Sequence, residues 1–113
     1  MPETALEIAP EELALLLGDA GAGAGTPILL DVRQPEEHAF VRLAGSRLIP
    51  LGELPARLGE LAPDALVVAY CHHGVRSRHA ALLLRAHGFP RAQSLAGGID
   101  AWTRRVDPAL PRY

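Results

Sequence analysis

Short apolar runs alternate along this chain with segments of helical periodicity, and this alternation restricts the fold more than any other feature. Residues 27–32 and 65–70 are nearly continuous apolar runs of strand length, whereas residues 10–17 and 76–87 have apolar side chains at helical spacing. Strands buried on both faces and joined through helices are typical of a parallel sheet covered by helices. We therefore expect an α/β domain with a mainly parallel sheet.

Weaker signals predict the remaining elements. Shorter strands are expected at 6–8, 46–50 and 92–95, and further helices at 35–37, 51–61 and 99–105, with Trp102 packing inward. The glycine- and alanine-rich residues 18–26 predict a flexible connector. Residues 107–113 predict an extended tail that lies on the domain and has no evident chemistry. The chain has 113 residues, close to the size of one hydrophobic core, so residues 1–113 are expected to form a single domain.

Composition excludes several classes of function. The formal net charge of −2 argues against a nucleic-acid partner, which would need a basic surface. No apolar run approaches the roughly 18 residues of a membrane-spanning helix, so no membrane partner is expected. The first residues have neither the charged region nor the apolar region of a signal peptide, so a cytoplasmic location is expected. Cys71 is the single cysteine, which rules out a disulfide within the chain.

Cys71 lies where parallel α/β sheets bind ligands, because it directly follows the strand predicted at 65–70. A helix is expected to begin at Arg76 or Ser77, so a short loop containing Gly74 separates the cysteine from the helix. Such a loop can turn its backbone N–H groups inward to bind an anion, and the helix N-terminus adds to this field.

The side chains around Cys71 also favour ionisation of its thiol, since Arg76 and two histidines, His72 and His73, accompany it. A lone cysteine can instead be a buried, unreactive apolar residue. The polar residues that follow Cys71 favour the reactive interpretation.

Four motifs then occur in a fixed order. They are Asp31-Val32-Arg33 followed by Glu36 and Glu37, residues 44–51 (Ala-Gly-Ser-Arg-Leu-Ile-Pro-Leu), the loop C-x-x-G-x-R-S at 71–77, and residues 95–102 (Leu-Ala-Gly-Gly-Ile-Asp-Ala-Trp). Together they resemble the rhodanese family of sulfurtransferases. The resemblance covers nearly the whole chain and implies a three-layer domain with a five-stranded, mainly parallel sheet flanked by helices. Arg42 departs from the pattern, because the family often has histidine there, and we expect its role to be structural.

The resemblance implies an enzyme that needs no cofactor and transfers sulfur in two steps. Cys71 would attack the outer sulfur of thiosulfate or of a persulfide and become a persulfide itself. A thiophilic acceptor, such as cyanide or a thiol, would then take this sulfur. Arg76 would hold the anionic donor, and the backbone N–H groups from His72 through Gly74 and Val75 to Ser77 would hold the persulfide.

Several roles stay open at this point. Ser77 is either a helix cap or a donor to the persulfide. His72 and His73 either tune the loop or point into solvent, and no metal is expected because adjacent histidines rarely converge on one ion. Asp31 and Arg33 either position the loop or form a structural ion pair. The other histidines are expected at the surface or at helix caps: His38, His79 and His87.

Three other functions remain as alternatives. A phosphatase or arsenate reductase of this fold would have five residues between the cysteine and the arginine, whereas Cys71 and Arg76 are separated by four. A non-catalytic binding module commonly lacks one of these two residues. A sulfur carrier would keep the same chemistry and receive sulfur from a partner protein such as a cysteine desulfurase.

Overall fold

Five parallel strands form the sheet in the part of the chain that the structure describes, residues 5–20 and 26–113 of a computed structural model. Every neighbouring pair of strands is parallel, in the order β1-β5-β4-β2-β3. The strands are β1 (Glu7–Ile8), β2 (Ile28–Asp31), β3 (Arg47–Leu48), β4 (Val67–Tyr70) and β5 (Gln93–Leu95). The expected parallel sheet is therefore confirmed.

Helices connect these strands and cover the sheet. They are α1 (Pro10–Ala20), α2 (Pro35–Phe40), a 3₁₀ helix (Leu51–Glu60), α3 (Val75–Ala86) and α4 (Gly98–Arg105). The leucine spacing at 51–61 predicts a helix, but Pro55 lies inside it and Arg57 leaves helical geometry at φ −119° and ψ 15°, so no regular α-helix forms. Helix α1 ends at Ala20, so the expected connector at 18–26 is wrong in its first three residues. Residues 21–25 of that connector lie outside the described residues.

Two hydrophobic clusters lie on opposite faces of the sheet. Val67 and Ala69 of β4 belong to one cluster, with residues of α3 and the 3₁₀ helix. Val68 and Tyr70 belong to the other, with residues of α1 and α4, including Trp102, which is buried as predicted. Successive side chains of a strand point to opposite faces, so a central strand covered on both sides must be apolar at every position. This requirement explains the unbroken apolar run.

The carboxyl ends of β2 and β4 lie side by side, because Asp31 is paired in register with Tyr70. The loops that leave these strands therefore begin at the same edge of the sheet, and Cys71 begins the second of them. Across the described ranges, every helix is too short or too polar to span a bilayer.

Candidate active site

The Cys71 sulfur lies within a ring of hydrogen-bond donors formed by its own loop. The backbone N–H groups of Gly74 and Ser77 point at Sγ, with N···S distances of 3.0 and 3.4 Å. The Ser77 hydroxyl oxygen lies 3.5 Å from the same atom. Cys71 is only 1% exposed, so these contacts replace most of the water that a free thiolate would have. The arrangement stabilises negative charge on the sulfur.

Gly74 gives the loop this shape. Its φ of +106° lies in the left-handed region, which glycine adopts without the steric cost that a side chain brings. It is also the N-cap of α3, so the chain turns sharply there and directs the first N–H groups of the helix toward Sγ. A Cβ at this position would lie 3.3 Å from the Gly97 nitrogen.

A second glycine turn supports the loop from the start of α4. The N–H groups of Ile99 and Asp100 donate to the carbonyl oxygens of Cys71 and His72 at 2.8 and 3.1 Å. Gly98 has a φ of +65°, and a Cβ there would overlap both of those carbonyl groups. The glycine pair of the fourth motif is therefore needed for direct backbone contact with the loop that carries Cys71.

Ser77 contacts the sulfur and does not cap the helix. The cap position belongs to Gly74, so of the two alternatives left open for Ser77 the capping one does not apply. The Ser77 side chain is fully buried, and its hydroxyl lies 2.7 Å from the hydroxyl of Ser94 in β5. This second serine orients the first beside Cys71.

Arg76 forms a paired, two-point contact with Glu37 of α2. Its two terminal nitrogens lie 2.7 and 3.0 Å from the two carboxylate oxygens. The hydrogen bonds with Glu37 are the main cause that raises the pKa of Arg76, and the Cys71 side chain acts in the same direction. The same bonds are the main cause that lowers the pKa of Glu37 to about 2. The arginine of the loop therefore has its counter-charge in place.

Asp31 and Arg33 form a fully buried ion pair behind the loop. Arg33 Nε and Nη2 lie 2.8 and 2.7 Å from the two Asp31 oxygens. Burial alone would lower the pKa of Arg33, but its bonds to Asp31 and Tyr113 raise it. Asp31 also contacts His38 Nδ1 at 2.8 Å, and His38, in the last turn of α2, is half-buried against it. The pair joins the end of β2 to α2, as expected if Asp31 and Arg33 form a structural ion pair.

The two histidines of the loop have different surroundings. The His72 ring stacks on the ring of Tyr113, with centroids 3.9 Å apart and planes 10° apart. Its Nε2 is buried and has no hydrogen-bond partner within the described ranges. His73 is 64% exposed, and its Nδ1 lies 3.9 Å from an Asp100 oxygen. Val75, which follows Gly74, is exposed.

The remaining histidines lie where they were expected. His79 is exposed, and His87, at the C-cap of α3, places its Nδ1 2.9 Å from the Leu83 carbonyl oxygen.

Comparison with known proteins places these features in a family. Residues 9–105 match the family model described as the rhodanese-like domain. The chain belongs to the rhodanese-like domain family. A protein of Allochromatium vinosum named sulfurtransferase is 36% identical over 104 residues, which cover 92% of this chain and 94% of that protein. The crystal structure of a rhodanese-related protein from Thermoplasma volcanium has a TM-score of 0.80 and 28% identity, covering 96% of this chain and all of that one.

Longer proteins also contain a segment similar to this rhodanese-like chain. The probable adenylyltransferase/sulfurtransferase MoeZ of Mycobacterium tuberculosis is 38% identical over 87 residues. The match covers 75% of this chain and 22% of that protein, so the chain spans about a fifth of this relative's length.

Arg42 stands outside the rhodanese-like site. Its side chain is exposed, and its Nη1 donates to the His38 carbonyl oxygen at 3.2 Å. Arg42 therefore contributes a hydrogen bond at the end of α2, and its structural role stays a prediction.

Sequence reasoning missed three residues of the rhodanese-like site. The sequence patterns place Glu37 only in a motif and at a helix start, Ser94 only in a strand, and Tyr113 only in a tail without evident chemistry. The last prediction is wrong, because the Tyr113 hydroxyl joins Arg33 and Glu37 at 2.8 Å each. Ser94 follows Gln93 in the predicted strand, so polarity alone does not single it out. Nothing in the local pattern pointed to Tyr113.

Proposed function

We propose that this rhodanese-like domain transfers sulfane sulfur from thiosulfate or a persulfide donor to cyanide or a thiol, with Cys71 as the nucleophile. One observation carries the proposal: donors from Gly74 and Ser77 converge on the Cys71 sulfur itself. Donors around the Cys71 sulfur suit a reaction in which this sulfur is an anion before the first displacement and again after the second.

The transfer takes two displacements at sulfur. The Cys71 thiolate forms a bond to the outer sulfur of the donor, and the donor's own sulfur bond breaks. Sulfite, or the thiol of a persulfide donor, leaves with the electron pair. The terminal sulfur of the Cys71 persulfide is then attacked by the acceptor, which forms thiocyanate from cyanide and returns the thiolate.

The surrounding groups have distinct parts in this proposal. The N–H groups of the loop hold the persulfide anion. The Ser77 hydroxyl oxygen accepts from the Cys71 thiol in this structure and lies 2.7 Å from the Ser94 hydroxyl, and it donates to the persulfide once the thiol proton is gone. Arg76 lies in the loop as the partner of Glu37, and this ion pair faces the incoming donor. The separation of Cys71 and Arg76 by four residues favours a guest the size of sulfur over phosphate, which argues against phosphatase or arsenate reductase chemistry.

A second candidate is a sulfur carrier for a partner protein. It is favoured by the similarity to a segment of MoeZ, whose name joins adenylyltransferase and sulfurtransferase. The carrier would use the same Cys71 persulfide but would receive its sulfur from a protein such as a cysteine desulfurase.

Intact mass spectrometry separates these candidates. After incubation with thiosulfate, the protein should gain the mass of one sulfur atom, lose it on addition of cyanide, and gain nothing as Cys71→Ser. A gain of sulfur only with a cysteine desulfurase and free cysteine would support the carrier. A protein that gains sulfur from none of these donors contradicts both candidates.

A further inference from the structure

The charge balance at Arg76 bears on the kind of donor that the site accepts. Arg76 is the single arginine in the loop 71–77, and both of its terminal nitrogens are bonded to Glu37. Its side chain is 36% exposed and that of Glu37 is 20% exposed. An anion that approaches the loop therefore meets a neutral ion pair.

Glu37 is held in place from three directions. Besides Arg76, the Gln34 N–H donates to one carboxylate oxygen at 3.0 Å, and the Tyr113 hydroxyl donates to the other at 2.8 Å. Tyr113 is itself fixed by its bond from Arg33 and by its stacking on His72. The carboxylate cannot rotate away from Arg76 without breaking these contacts.

The charge of Glu37 is also permanent under ordinary conditions. Its pKa is lowered to about 2, chiefly by the Arg76 hydrogen bonds, so it stays ionised near neutral pH. Burial raises the pKa of Tyr113 to about 12, so its hydroxyl stays protonated and continues to donate. The second ion pair near the loop, Asp31 with Arg33, adds no net charge.

Thiosulfate carries two negative charges and must approach a thiolate that carries a third. The loop N–H groups offset part of this repulsion, and the exposed cations around Asp100 are screened by water and salt, but the arginine of the loop itself is already paired with Glu37. Resting on the function proposed above, we propose that Glu37, held by Tyr113, makes this site favour sulfane donors with one negative charge or none, such as an organic persulfide or thiosulfonate, over dianionic thiosulfate.

Two donors of similar shape test this preference: thiosulfate, with two charges, and methanethiosulfonate, with one. In both, Cys71 bonds to the outer sulfur, the bond to the oxidised sulfur breaks, and sulfite or methanesulfinate leaves with the electron pair. The measured quantity is the ratio of kcat/KM for thiosulfate to that for methanethiosulfonate, with cyanide as acceptor. Glu37→Gln should raise this ratio about tenfold, because it removes one charge beside the incoming dianion.

Glu36→Gln is the matched control, since it removes the same charge from an exposed neighbour on the same helix. It should leave the ratio nearly unchanged, because exposed charges are screened by water and salt. Tyr113→Phe keeps the stacked ring and loses the hydroxyl, so it should raise the ratio in the same direction by a smaller factor. This milder variant decides the matter if Glu37→Gln does not fold.

A purely structural role for Glu37 would lower kcat/KM for both donors together and leave their ratio unchanged. That result, or an equal change in Glu36→Gln, would overturn the inference. A wild-type protein that takes sulfur from neither donor and from no desulfurase would instead refute the proposed function.

Discussion

Replacement of Arg33 by methionine tests how much the buried ion pair with Asp31 contributes to stability. The Arg33 and Asp31 side chains are both fully buried, and two hydrogen bonds of 2.8 and 2.7 Å join them. Arg33 Nη2 also donates to the Val41 carbonyl oxygen. Methionine is long, flexible and apolar, so it fills much of the same space while it removes the cation. Asp31 then keeps its contact with His38 but loses the arginine that neutralises it inside the protein.

The expected cost is about 3–5 kcal/mol of unfolding free energy, the range for removal of one partner from a buried pair. Domains of this size have unfolding free energies of about 5–15 kcal/mol, so the variant should still fold but with a low unfolding free energy. Urea unfolding measures the loss, with fluorescence of the single tryptophan, Trp102, as the signal because this residue is 8% exposed in the folded protein. The slope against urea should be unchanged while the midpoint falls.

Arg57→Met provides a matched control. Arg57 also bonds carboxylates, those of Glu53 and Glu60, but at the surface of the 3₁₀ helix. Arg57→Met should lower the unfolding free energy far less than Arg33→Met, since water solvates the carboxylates that lose their arginine. Adding Asp31→Asn to Arg33→Met should recover part of the stability, because no uncompensated charge then remains buried. An uncompensated buried charge is not the cause of the loss if Arg33→Met costs no more unfolding free energy than Arg57→Met, or if the double variant is no more stable than the single one.

Two further predictions concern the loop and its acidic neighbour. Gly98→Ala should lower the unfolding free energy by more than about 2 kcal/mol and displace the loop, because the residue has a positive φ and faces the Cys71 and His72 carbonyl groups. Gly52 has open space around it, so Gly52→Ala should lower the unfolding free energy much less in the same urea titration. Equal losses in the two variants would contradict this account. The pKa of Glu37 falls from 4.5 to about 2 on folding, so its stabilising contribution is complete above pH 4.5 and is lost as the pH falls toward 2. The difference in unfolding free energy between the wild type and Glu37→Gln should therefore narrow on acidification, whereas a constant difference would contradict the assigned cause.

The positions of the main elements could be read from local patterns. The apolar run before Cys71 predicts a buried strand, and the helix after it begins at Val75, one residue before the expected range. Hydrophobic periodicity is a property of neighbouring residues, so it can be recognised without knowledge of the fold. Gly88 likewise follows α3 with a φ of +94°, as expected for the residue just beyond a helix C-terminus. Local patterns predict the wrong helix type where the backbone departs from regular α-helical geometry, as in the 3₁₀ helix around Pro55.

By itself, then, the sequence determined the α/β class, the strand–loop–helix unit around Cys71 and the residues that can build a sulfur-binding loop. Only the tertiary structure decided which distant side chains complete that loop. Ser94 reaches Ser77 because β5 lies beside β4, and Tyr113 reaches Glu37 across 76 positions of the chain. Contacts of this kind depend on strand order, register and the packing of separate elements, which no window of neighbouring residues encodes. The charge environment of Arg76 is therefore a product of the fold, whereas the nucleophile is visible in the sequence.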